Sequence, residues 1–355
     1  MAIRTDKRTG WYSGWPVACP NFWNLEKNMS ANKNKTVRQP RRRAIQRLSA
    51  IALGALTIAL GASPVQAQET KLLRIGYQKA ANTLVLLKAH GTLEKRLQPL
   101  GVEVKWAEFA AGPQLLEALN VGSVDFGYVG EAPPVFAQAA GADFVYTAYE
   151  IPTPDAEGLL VQKNSPIKSV AELKGKKIAF NKGSDVHWLV VALLKKAGLQ
   201  YSDIQPVYLA PADARAAFER GAVDAWAIWD PFQAAAEKQV GARRLATGVG
   251  VVNHHQFFLS ARPFAAKNPQ VEKILLEEIS REGEWVRTHT AQAAAQLAPI
   301  QGLDADIIET GLKRYAHVYK PVDAQVLAEQ QKIADAFHEL KLIPKPLKVS
   351  DAVLK

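Results

Sequence analysis

Four places in this 355-residue chain close a β-rich run and open a helical one with residues suited to holding an anion. They are Gly112-Pro113, Glu131-Ala132-Pro133-Pro134, Lys182-Gly183-Ser184-Asp185 and Asp230-Pro231-Phe232. Proline fits a first helical turn, where its missing N–H costs nothing. Glycine lets a ligand come close to the backbone. The start of a helix presents N–H donors and the positive end of its dipole, so it suits a negative group. No GxGxxG or P-loop pattern accompanies these turns, which argues against a nucleotide. Neighbouring side chains refine the picture. Gln78 offers an amide donor just past the first strand. Trp229 ends a strand on the same side, while strand alternation turns Trp226 to the opposite face and into the core. His187 could donate to an anion or satisfy the helix start, and Trp188 could wall a ligand or pack between elements.

Catalytic chemistry finds less support. His254 and His255 are adjacent, so in an extended chain they point to opposite faces and cannot both ligate one metal. Glu131 and Asp230 could form an acid–base pair, but a carboxylate at a helix start usually serves as a cap. No HExxH or GxSxG pattern is present. The only cysteine, Cys19, lies in the first 67 residues, so residues 68–355 have no disulfide, thiolate ligand or cysteine nucleophile. Neither a cofactor nor a metal is expected.

The elements that must position these residues alternate. Strands are expected at 72–77, 102–109, 124–129 and 144–150, with helices at 82–100, 113–121 and 134–140 between them. The breaker cluster Ile151-Pro-Thr-Pro-Asp-Ala restarts the rhythm. Further strands are expected at 158–162, 177–181, 206–209, 225–229 and 256–261, with helices at 169–173, 186–197, 213–220 and 232–240. After Pro263 the pattern is nearly all helical to about His338. Such alternation means an α/β fold with mostly parallel sheets. It divides into two similar lobes, with crossings near 158–162 and 256–261 forming a two-strand hinge and a cleft between. Carboxyl ends of strands in open α/β sheets are where ligands bind, so all four turns face that cleft. The organisation expected is a leader over 1–67, a first lobe over 68–155, a second over 156–257, and a return to the first with C-terminal helices over 258–355.

Charge and the leader bound the setting. Residues 1–67 carry eleven Lys/Arg against two Asp/Glu, and the remainder carries 33 against 32. The body is near neutral, which removes the case for nucleic-acid binding. Arg41–Arg43 and Arg47, a 15-residue apolar run from Leu48 to Ala62, and Val65-Gln66-Ala67 read as an export signal cleaved after Ala67. The run is shorter than the roughly 20 residues of a membrane span. A start at Met29 would give this leader an ordinary length.

The segments IGYQK (75–79), FAAGPQLLEALNVGSVDFGYVGEAPPVFAQAAG (109–141), SVAELKGKKIAFNKGS (169–184) and PADARAAFERGAVDAWAIWDPF (211–232) resemble the aliphatic-sulfonate-binding proteins of ABC importers, over about 71–345. The resemblance implies a two-lobed periplasmic binding protein fold of type II: two mixed sheets flanked by helices, a two-strand hinge and a helical tail. It implies a monomer in the periplasm that captures an aliphatic sulfonate and delivers it to a permease, and through it to an ATPase. It implies a site at Gln78, Gly112, Pro113, Glu131, Ala132, Ser184, His187, Trp229 and Asp230. Asp185 departs from the Asn or Ser expected after the KGS turn. A sulfonate is a permanent anion that converging N–H donors can hold, and Trp229, with Trp188, could wall its alkyl tail. Taurine, nitrate or an aromatic sulfonate would keep the fold and change the ligand. Taurine would need a carboxylate for its ammonium, which Glu131 or Asp230 could supply. An enzyme on this fold is the remaining alternative.

Overall fold

The computed structural model describes residues 71–354. The leader and its cleavage site lie outside the described residues. Four strands come first: β1 (Lys71–Tyr77), β2 (Val102–Glu108), β3 (Phe126–Gly130) and β4 (Phe144–Glu150). Five more occupy the middle of the chain: β5 (Glu157–Val161), β6 (Lys177–Phe180), β7 (Gln205–Tyr208), β8 (Ala225–Trp229) and β9 (Arg243–Thr247). Two late strands, β10 (Gln256–Ala261) and β11 (Tyr319–Pro321), return to the first group. The sheets have orders β11-β4-β10-β3-β1-β2 and β7-β6-β8-β5-β9.

The two sheets repeat one plan. Each holds a parallel trio, β2-β1-β3 or β7-β6-β8, with β1 or β6 at its centre. Beside each trio lies an antiparallel strand, β10 or β5. Parallel strands need crossover helices, and those helices bury both sheet faces. Helix Asp185–Lys196 shows how: Val186, Leu189, Val190, Leu193 and Leu194 are buried at helical spacing against the second sheet. Lys195 and Lys196 close it with positive charge at the negative end of the dipole. Trp226 is fully buried against Phe218, the core position that alternation assigned it.

The chain passes between the sheets just ahead of β5 and again just ahead of β10. These two crossings bind each other: Thr153 N–H donates to the Asn253 carbonyl at 3.0 Å, and the Thr153 hydroxyl to the His254 carbonyl at 2.9 Å. The C-terminal helices add further links. Helix Pro269–Thr288 packs on helix Asn82–His90, and helix Ala305–Leu312 on helix Phe232–Gln239.

Three details differ from the sequence reading. The helix expected over 82–100 is broken at Gly91, whose φ of 61° turns the chain into a second helix, Thr92–Leu97. β9 goes unannounced because its RRLAT sequence carries edge-strand charges in place of an alternating apolar pattern. β11, three residues ending in Pro321, interrupts the helical tail and pairs with β4 at the sheet edge.

Candidate functional site

Carboxyl ends of both parallel trios converge on one cavity. It is lined by Gln78, Ala80, Gly112, Tyr128, Gly130 and Pro133 from the first lobe, Ser184, Asp185 and Trp229 from the second, and Gln256 and Tyr315 from the crossing and the tail. Its free volume is about 10 Å³, room for one water molecule. The lobes therefore meet closely here, and the cavity as it stands has no room for a larger molecule.

Gln78 is buried, and its amide donates to the Tyr128 carbonyl at 3.1 Å. Gly112 opens helix Gly112–Asn120 at the cavity wall. A Cβ there would come within 2.8 Å of Pro133 Cγ, so glycine is what lets these two turns touch. Ser184 caps helix Asp185–Lys196 in position, while its hydroxyl donates to the Asn181 carbonyl at 2.7 Å. Trp229 ends β8 at the cavity lining and is 5% exposed. Ala132, first in helix Ala132–Ala139, directs its N–H to Asp185 Oδ1 at 3.3 Å.

Ala132 and the remaining four expected residues do not line this cavity. Pro113 faces an outer groove with Leu116, Glu117 and Phe136. Glu131 turns to the crossing, where its Oε2 accepts from His255 N–H at 3.0 Å; with Trp188 it borders a different cleft, beside Asn253 and Glu329. His187 is fully buried between Phe136 and Phe180; Nδ1 accepts from Gly183 N–H at 3.1 Å and Nε2 lies 2.9 Å from the Tyr201 hydroxyl. Burial, aided by Lys182, pushes its pKa down to about 3, so the ring is neutral and both nitrogens are committed inside the protein. Asp230 faces the tail: Arg314 Nη1 lies 3.2 Å from Oδ2, and Ala234 N–H donates to Oδ1 at 2.9 Å.

Behind the cavity wall lies a buried group of carboxylates around one imidazole. His254 Nε2 is 3.7 Å from Glu157 Oε2 and 3.7 Å from Asp185 Oδ2. Its Nδ1–H donates to the Thr153 carbonyl at 2.9 Å. Burial opposes charge on His254, but Glu157, Asp185 and Glu131 overcome it and push its pKa up to about 10. Burial pushes Glu157 up to about 7, with His254 opposing. His255 serves another neighbourhood, with Nδ1 at 3.1 Å from the Glu150 carbonyl and Nε2 at 3.0 Å from Glu329. The adjacent histidines thus have separate partners, but His254 has a φ of 52° and is not extended, so strand alternation is not the reason.

Ala80, Tyr128, Gly130, Pro133, Asp185, Gln256 and Tyr315 complete the lining without having been named among the expected ligand residues. Asp185 carried a signal, as the odd residue of its turn. Tyr315 carried none, because it lies just past a helix of the tail and reaches the cavity only through tertiary packing.

The chain matches the family model described as NMT1/THI5 like over residues 98–293. An aliphatic sulfonates-binding protein of Escherichia coli (strain K12) is 47% identical over 304 residues, which cover 85% of this chain and 93% of that protein. Among solved structures, the periplasmic aliphatic sulphonate binding protein SsuA from Escherichia coli has 49% identity and a TM-score of 0.74, over 80% of this chain and 92% of that one. The alkanesulfonate-binding protein SsuA from Xanthomonas axonopodis pv. citri, bound to MOPS, has 45% identity and a TM-score of 0.77, over 81% and 99%. These likenesses bear out the two-lobed α/β architecture expected from the sequence.

Proposed function

The chain belongs to the NMT1/THI5-like family, and from that premise we propose that it is an exported binding protein that captures aliphatic sulfonates between its lobes and hands them to an ABC permease. The observation that carries this reading is the cavity itself. Gln78, Gly112 and Ser184 bring an amide, a helix start and a hydroxyl-bearing turn to one place, and Trp229 supplies an apolar wall beside them. A sulfonate asks for both parts. Its three oxygens are permanent acceptors, matched by N–H donors of helix starts without any proton transfer. Its alkyl chain gains about 0.8 kcal/mol for each methylene buried against the indole. Parting and closing of the lobes about the paired crossings at Thr153 and Asn253 would admit the ligand and then exclude water, coupling occupancy to docking.

The reading is of a binding protein rather than an enzyme. The imidazoles nearest the cavity, His187 and His254, have their polar contacts inside the protein. Ligand recovered unchanged after prolonged incubation is the expected outcome of a turnover assay. The periplasm is the compartment in which such a protein would meet its permease, with the segment ending at Ala67 as the export signal.

A calorimetric titration with butanesulfonate, pentanoate, taurine, sulfate and nitrate tests the ligand class. The proposal expects a sulfonate to bind and pentanoate, of similar length but with two oxygens, not to. Binding of nitrate or pentanoate alone would overturn the sulfonate reading while leaving the fold and a transport role intact.

A further inference from the structure

The charges lining the cavity do not suit a simple monoanion. Among the described residues that line it there is no Lys or Arg, and one side chain with a formal charge, Asp185. Its carboxylate reaches from the second lobe to the first. Oδ1 takes the Ala132 N–H at 3.3 Å, Oδ2 lies 3.5 Å from the Gln256 amide nitrogen and 3.7 Å from His254 Nε2, and a side chain at Gly130 would overlap it at 1.7 Å. Every one of these polar contacts is long for a carboxylate hydrogen bond, and a carboxylate can accept about four. Acceptor capacity therefore remains at the cavity surface.

The imidazole behind Asp185 is not held by that carboxylate alone. His254 lies equally far, 3.7 Å, from Glu157, which is fully buried and has no hydrogen-bond partner on either oxygen among the described residues. Asp185 is the one formally charged side chain among the described lining residues, and a bare alkanesulfonate would have to sit beside it. The two carboxylates that the sequence put forward for a ligand ammonium are both engaged elsewhere, Glu131 with His255 and Asp230 with Arg314.

The geometry points to Asp185 as the residue that sets ligand charge: the cavity favours sulfonates carrying a protonated amine, whose ammonium pairs with Asp185 while the sulfonate takes the helix starts at Gly112 and Ser184. This rests on the sulfonate reading above and specifies which sulfonates the site selects. A zwitterion brings its own cation to the one carboxylate, so ligand and Asp185 together carry one net negative charge where a bare alkanesulfonate would make two.

Three ligands of equal length separate the possibilities: 3-aminopropanesulfonate, butanesulfonate and 3-hydroxypropanesulfonate, which end in ammonium, methyl and hydroxyl. Titrated into the purified protein at neutral pH, the amine should bind at least about tenfold tighter than the other two, as close charge pairs do. In Asp185→Asn the amine should lose that advantage and butanesulfonate should tighten. Butanesulfonate binding as tightly as the amine in the wild type overturns the assignment and leaves the sulfonate reading standing. The hydroxyl ligand matching the amine overturns it too, since charge would not be what is read. An amine preference that survives Asp185→Asn moves the partner to another residue. Binding of none of the three removes the sulfonate reading itself. Should Asp185→Asn fail to fold, the wild-type ratios still decide.

Discussion

Glu131 and Asp230 occupy equivalent places in the two lobes. Each comes directly after the last strand of its parallel trio, β3 or β8, and each precedes a proline-initiated turn into a helix. Both are buried, and yet they are handled differently. Asp230 meets Arg314 at 3.2 Å and accepts from Ala234 N–H. Burial raises its pKa to about 6 while Arg314 holds it down, so it is charged at neutral pH. Glu131 has one oxygen on His255 N–H and the other without a partner among the described residues. Burial, with Glu157 adding to it, pushes its pKa up to about 8, so it is mostly protonated at neutral pH. A charged partner, not depth alone, decides which buried carboxylate ionises. The second lobe uses its ionised carboxylate to fasten the tail, and the first uses a neutral one to hold a crossing.

That contrast can be broken most forcefully at Arg314. Arg314→Ala strands Asp230 as a buried charge and should cost about 3–5 kcal/mol in urea unfolding. A loss below about 1 kcal/mol would mean Asp230 needs no partner. Asp230→Asn keeps the shape but gives up the charge-assisted contacts, at a cost of about 2 kcal/mol. The matching change in the first lobe, Glu131→Gln, replaces a protonated acid with a neutral amide and should be nearly silent at pH 5.

The Glu131 variant separates from the wild type as pH rises. Its carboxyl holds a proton in the folded protein up to about pH 8 but only to about 4.5 when unfolded, so unfolding releases a proton in that window. Stability from this group is present at low pH and is lost as pH rises through the folded value, at no more than about 1.4 kcal/mol per pH unit. Glu131→Gln should therefore gain on the wild type between pH 5 and 8, by on the order of 1 kcal/mol or more, and level off above that. A parallel pair of pH profiles would show that Glu131 is ionised throughout.

Much of the fold was legible in the sequence, and the limits have a physical form. β8 and β10 lie where their apolar runs place them, and strand alternation separated Trp226 from Trp229 correctly. Gln78, Gly112, Ser184 and Trp229 meet at one cavity because ends of strands and starts of helices are local features, and parallel topology brings them together. Partners distant in sequence were not legible. Nothing near Glu131 names His255, nothing near Asp230 names Arg314, and nothing near His187 reveals that Tyr201 and the rings of Phe136 and Phe180 enclose it. Local pattern tells which way a backbone is going, while the fate of a polar side chain depends on what the rest of the chain packs against it.

The central claim is that a sulfonate sits between the lobes with its tail on Trp229. Titrating the wild type and Trp229→Ala with butanesulfonate and methanesulfonate tests it most directly. Three additional methylenes against the indole predict that the variant loses about 2 kcal/mol, roughly thirtyfold, on butanesulfonate and far less on methanesulfonate. Equal losses for both ligands, or none for either, would show that Trp229 only packs and that the alkyl chain lies elsewhere.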